Sequence, residues 1–204
     1  MMRTIVMLTA IGLIAFAGCK PPKPAKTIEN LKTGITGETT ASAKYAAFAQ
    51  KAYEEGYDTI AKLFEAASKA EAIHAANHTK VLEELGEKMD SIHPEFEVKT
   101  TAENLEIARD GEAYEISRMY NQFITDAQEE KVVKAEKTFT WAMDTEEKHH
   151  EFYVNARIAI LANAENTLPS GYAVCPVCGN TYAIATVDEN CAFCGAPKEN
   201  FINF

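Results

Sequence analysis

Two Glu-x-x-His pairs, Glu71 with His74 and Glu146 with His149, stand 75 positions apart. Each pair has a leading acid upstream, Glu38 and Glu112, and these are 74 positions apart. A spacing of i, i+3 puts a carboxylate and an imidazole on the same face of a helix. Oxygen and nitrogen donors in that mixture suit iron or manganese better than calcium or a structural zinc. A second constellation closes the chain. Cys175, Cys178, Cys191 and Cys194 form two C-x-x-C pairs, each followed by glycine, which is the spacing of a four-thiolate metal site. Iron and zinc both suit four thiolates, and only iron would carry an electron.

Such groups need a scaffold that aims them at common points. Apolar periodicity predicts four helices: about Thr36 to Glu55, Asp58 to Leu85, Thr101 to Asp126 and Glu129 to Asn163. Glu38 shares a stripe with Ile35, Ala41, Tyr45 and Phe48. Glu71, His74 and His78 interrupt Ile60, Phe64, Ala67, Leu82 and Leu85. Glu112 and Glu115 interrupt Leu105, Ala108, Met119 and Phe123. A lone buried acid on an apolar face is ordinarily an edge residue. Two matching sets, with no Lys or Arg on the stripes to pair them, are better explained by bound cations, because an uncompensated buried carboxylate is costly. The chain therefore reads as a duplicated helical hairpin, each half giving one Glu and one Glu-x-x-His, closed into a bundle around two divalent ions. Within "EEKHH", Glu146 lies nearer the stripe centre than Glu147, but spacing leaves His149 and His150 both open. His93, before Pro94 in the crossover between the second and third helices, reads as a loop residue; His78 reads as a core residue beside the ligands.

The remaining segments set context. Residues 1–18, with Arg3 ahead of an apolar run from Ile5 to Ala17, read as an export signal, and "FAGC" suggests a lipoprotein whose Cys19 carries the lipid. Residues 19–34, rich in proline and lysine, read as a tether to the membrane surface. Residues 35–164 form the predicted bundle, 165–170 a linker and 171–204 the four-cysteine domain. A formal net charge of -10 argues against a nucleic-acid partner.

Taken together, "TGETTASAKY", "EAIHAANH", "GEAYEISRMY", "EEKHHEFY" and the two cysteine knuckles resemble the rubrerythrin family over about Thr33 to Phe204. The fold implied is mainly α: a ferritin-like four-helix bundle followed by a small rubredoxin-like domain. The resemblance implies Glu38, Glu71, His74, Glu112, Glu115, Glu146 and His149 as ligands of a di-iron site. It thereby selects His149 over His150. It assigns Tyr45 and Tyr120 to hydrogen bonds with ligand carboxylates, and Glu115 to an exchange with His74 on one iron as the redox state changes. One further iron, or zinc, would sit on the four cysteines.

The activity implied is reduction of hydrogen peroxide to water as an oxidative-stress defence, with an electron donor and a head-to-tail homodimer as partners. The alternative is a ferroxidase or iron-binding protein with structural zinc. Asn180 departs from the family pattern, which often has an aromatic there. The export signal is also unusual, and it places the protein on a membrane outside the cytoplasm, where cytoplasmic reductases cannot reach it.

Overall fold

The computed structural model describes residues 23–204. The export signal and the lipid site at Cys19 lie outside the described residues. Among those described, no helix is long and apolar enough to cross a membrane. The chain forms α1 (Ala25–Glu54), α2 (Asp58–Glu84), α3 (Thr101–Tyr114), a π-helical segment (Glu115–Met119), α4 (Tyr120–Glu129) and α5 (Val133–Ala162). A three-stranded antiparallel sheet follows, with β1 (Tyr172–Val174) between β2 (Thr181–Ala183) and β3 (Ile202–Asn203). In register, Tyr172 faces Ala183, and Val174 faces both Thr181 and Ile202.

Helix α1 starts at Ala25, inside the segment expected to be a tether. Local sequence offers no cap, because Pro24 bears no capping side chain. The cap comes from α4 instead: the Glu130 carboxylate accepts from the backbone N–H groups of Lys26 (3.2 Å) and Thr27 (2.8 Å). This satisfies donors that every helix start leaves open, and Ile28, Leu31 and Ile35 can then continue the buried stripe. Helices α1 and α2 end as Gly56 and Gly86 predict. Each glycine has positive φ, and the next N–H bonds back to the carbonyl of Ala52 or Leu82.

Helix α4 closes with the same hydrogen-bond pattern, but Lys131 takes the left-handed position (φ 61°). With no glycine to mark it, the predicted break fell too early; α4 runs to Glu129 and α5 begins at Val133. The start of α3 is legible locally. Thr100 and Glu103 cap each other reciprocally.

Two apolar layers enclose the centre of the bundle. One holds Tyr45, Phe48, Phe64, Leu105 and Tyr153; the other holds Leu31, Leu82, Tyr120, Phe123 and Phe139. The polar stripe positions lie between them. A third cluster, with Ala173, Cys175, Cys178, Tyr182, Cys191 and Phe201, builds the small domain, and Trp141 of α5 packs against it. The small domain therefore rests on α2 and α5 of its own bundle.

Candidate metal centres

Four helices deliver one donor group after another to the gap between the apolar layers. Glu38, Glu71, His74 and Glu146 offer ligand atoms that all lie within 4.8 Å of one another, and so do Glu71, Glu112, Glu146 and His149. All six side chains are essentially buried. The two sets share Glu71 and Glu146. Two ions in these sets would thus be bridged by one carboxylate from each duplicated half. Each ion would also have its own terminal pair: Glu38 with His74, or Glu112 with His149.

The contacts inside the cage fit such ions. His149 Nδ1 lies 3.1 Å from Glu71 Oε1 and 2.9 Å from Glu146 Oε2. Yet His149 Nδ1, Glu71 Oε1, both Glu146 oxygens and Glu38 Oε2 are buried without a hydrogen-bond partner. Donors this close that do not bond to each other converge on points between them. In both histidines Nδ1 faces the carboxylates, and Nε2 faces outward. His150 and Glu147 belong to neither set, so the fold favours the pair that the resemblance selects.

Without cations the cage holds protons in their place. Burial, then the neighbouring Glu71, pushes Glu38 up to about 8. Burial and the other acids also raise Glu112 and Glu115. His149 rises to about 10; burial opposes the charge, but Glu71 and Glu146 outweigh it. Burial likewise works against the Glu71 carboxylate, yet His149 and His74 hold it below its usual range. The protons held by Glu38, Glu112, Glu115 and the two histidines are the ones that metal charge would replace, whereas Glu71 is already a carboxylate.

Two tyrosines brace the terminal acids symmetrically. Tyr45 donates to Glu112 Oε1 at 2.7 Å, and Tyr120 donates to Glu38 Oε1. His78 stays outside the cage. Its Nε2 lies 3.1 Å from the Tyr120 hydroxyl and its Nδ1 3.0 Å from Thr138 Oγ1, while burial and His74 lower its pKa to about 3. It is a neutral prop for Tyr120.

Glu115 lies outside both four-residue sets. It opens the π-helical segment and lines a groove of about 970 Å³ between α1 and that segment, with Gly37, Tyr114, Arg118 and Met119. A π turn inserts one extra residue into a helix, and such insertions recur at functional sites. The prediction of an uninterrupted third helix missed it, although the sequence carries a trace. Glu38 and Glu112 are 74 positions apart, whereas Tyr45 and Tyr120 are 75 apart. The second half gained its residue between Glu112 and Tyr120, where the π segment lies.

The four cysteines are free thiols. Cys175 Sγ is 3.4 Å from Cys194 Sγ, and Cys178 Sγ is 3.5 Å from Cys191 Sγ. Those separations are too long for a disulfide. They are close to the roughly 3.8 Å edge of a tetrahedron built on metal–sulfur bonds of about 2.3 Å. Hydrogen bonding from Cys178 lowers Cys175 to about 5, whereas burial raises Cys194 to about 11.

The first knuckle touches the cage. Thr181 Oγ1 is 2.9 Å from His149 Nε2, and Asn77 Nδ2 donates to the Val177 carbonyl at 2.9 Å. At Gly179 an added Cβ would stand 2.4 Å from His74 Nε2. This approach is made within one chain.

Comparison with known proteins identifies the family. A family model described as Rubrerythrin matches residues 29–156. Nigerythrin of Nitratidesulfovibrio vulgaris is 39% identical over 183 residues, covering 86% of this chain and 85% of its own length. Rubrerythrin-2 of Clostridium acetobutylicum is 33% identical, covering 89% and 98%. The solved structure of fully reduced, all-ferrous nigerythrin superposes with a TM-score of 0.79 at 35% identity, covering 94% of this chain and 91% of that one. The chain belongs to the rubrerythrin family.

Proposed function

From that membership and the paired cage, we propose that the protein is a di-iron oxidoreductase that reduces hydrogen peroxide to water. Electrons would be delivered through an iron held by Cys175, Cys178, Cys191 and Cys194. The observation that carries this reading is the pair of overlapping donor sets, with a four-thiolate knuckle seated on both of their histidines. The all-ferrous nigerythrin structure supports iron as the metal.

When bound, the iron pair supplies two electrons to the peroxide O–O bond, and two protons complete the conversion to two waters. The chain's own residues prepare that reaction. Glu71 and Glu146 would hold both ions at a fixed separation. Tyr45 and Tyr120 fix Glu112 and Glu38 by hydrogen bonds, so the terminal carboxylates keep their orientation as charge on the site changes. His149 keeps its Nδ1 inward because its Nε2 is held 2.9 Å from Thr181 Oγ1, whose own hydroxyl donates to the Gly179 carbonyl. The groove at Glu115 opens on the side of α1 and the π-helical segment. Glu115 lines that groove and belongs to neither donor set, and we assign it the exchange with His74 that the resemblance implies.

The export reading rests on residues 1–19. We propose a membrane-anchored lipoprotein served by a donor outside the cytoplasm, and the head-to-tail homodimer that the resemblance implies.

The test is anaerobic. The iron-loaded protein is reduced, and the red thiolate-to-iron absorption is followed after peroxide is added. Rapid return of colour, with two electrons consumed per peroxide and faster than with oxygen, is expected. Glu115→Ala should slow that return more than it reduces iron loading. No return of colour, or zinc in place of iron on the cysteines, would overturn the reading in favour of a ferroxidase or iron-binding role.

A further inference from the structure

Lys148 stands between the two centres, on α5 between Glu146 and His149, and its side chain leaves the cage for the small domain. Its ammonium group lies 4.3 Å from the Tyr182 ring centroid and 4.6 Å from that of Phe193. It donates to Asn180 Oδ1 at 2.6 Å. A lysine can only donate, so this bond fixes the orientation of the Asn180 amide. Asn180 Nδ2 then faces the Tyr182 hydroxyl at 2.7 Å and Cys191 Sγ at 3.7 Å, and the Tyr182 hydroxyl itself reaches Cys191 Sγ at 3.6 Å. Asn180 is fully buried. One polar chain thus runs from a cation on the bundle to a sulfur of the four-cysteine site, through the position where the family often has an aromatic. Burial lowers the Lys148 pKa, and the Cys191 and Cys178 sulfurs and Asp144 oppose that shift by favouring the charged ammonium.

We propose that Lys148 raises the reduction potential of the iron held by the four cysteines, acting through Asn180 and Tyr182 as well as through space. The potential of the small domain is then set by its docking on the bundle. This inference rests on the reading that iron occupies the cysteines. Reduction transfers one electron from a one-electron donor to ferric iron and adds one negative charge to a unit that already carries four thiolates. A fixed cation favours that added charge, and hydrogen bonds to a thiolate sulfur act in the same direction.

The experiment is a mediated spectroelectrochemical titration of the iron-loaded full chain, read at the thiolate-to-iron absorption. No peroxide is present, so failure of the peroxidase reading leaves this measurement intact. Lys148→Met should lower the reduced-to-oxidised ratio at fixed ambient potential about tenfold, or about 59 mV for a one-electron couple. Lys148→Arg should restore most of the shift. Lys88→Met, which removes an exposed lysine in the crossover after α2, should change it little. Emission from Trp141, the single tryptophan, reports whether the domain stays docked. If Lys148→Met undocks it, Lys148→Gln keeps a donor without the charge and should show the same fall. An unchanged potential in a docked, uncharged variant would overturn the inference. So would an equal fall in Lys148→Arg or in Lys88→Met.

Discussion

The contact between the knuckle and His74 gives a sharp test, because the protein contains its own control. Gly179 and Gly195 hold equivalent places after the two C-x-x-C pairs, and both adopt positive φ (85° and 75°). Alanine at either position incurs the left-handed penalty of about 1–2 kcal/mol. At Gly195 the new methyl meets nothing within 4 Å. At Gly179 it would stand 2.4 Å from His74 Nε2, 2.6 Å from His74 Cδ2 and 3.2 Å from the Ala70 carbonyl oxygen. His74 cannot swing aside, since its Nδ1 is held 2.9 Å from Glu71 and 3.0 Å from Glu146. Overpacking of that kind costs about 1–3 kcal/mol more. Relative to Gly195→Ala, Gly179→Ala should therefore shift the docking equilibrium by a factor from about five to about 150. Trp141 emission and the urea midpoint of that transition would measure it. Gly179→Ala should also slow the return of red colour after peroxide, whereas Gly195→Ala should not. Equal behaviour of the two variants in all three readouts would refute the docking geometry and the electron route that depends on it.

Two further outcomes follow from the cage. His149→Ala should lose one of the two bundle metals, measured as metal per chain on purified protein, while His150→Ala should keep both; the reverse pattern would place the ligand set wrongly. The metal-free protein should lose stability as pH rises. Glu38 titrates near 8 when folded against 4.5 as its ordinary value, and His149 near 10 against 6.5. Both folded-state values are raised, so both contributions are full at low pH and disappear as pH climbs through about 5 to 10. Glu71 is lowered, and its contribution is lost instead as pH falls below its ordinary range. Thermal scans of chelator-treated protein should show Tm falling from about pH 6 to about pH 9. The metal-loaded protein should show a much flatter profile, because cations replace those protons. A flat profile in the metal-free protein would argue against a proton-filled cage.

Much of this protein is determined locally. The Glu-x-x-His pairs, their repeat, the four cysteines and the apolar stripes define a duplicated bundle with two kinds of metal site, because donor type and helical period are properties of short segments. The ends of α1 and α2 and the start of α3 are equally local, marked by Gly56, Gly86 and the Thr100–Glu103 cap. Tertiary structure decided the rest. Helix α1 reaches back to Ala25 because Glu130, more than a hundred positions away, caps it. Lys131 ends α4 in a conformation that residue type does not announce. The π turn at Glu115 is stable only where its neighbours accept the extra residue, so spacing leaves no more than an offset between 74 and 75. His149 and His150 lie on nearly the same stripe, and only convergence with Glu71 and Glu112 separates them. Asn180 reads in sequence as a departure from the family pattern, and becomes intelligible once Lys148 from the bundle stands against it. In each case the deciding energy lies in a contact between segments far apart in the chain, which no local window contains.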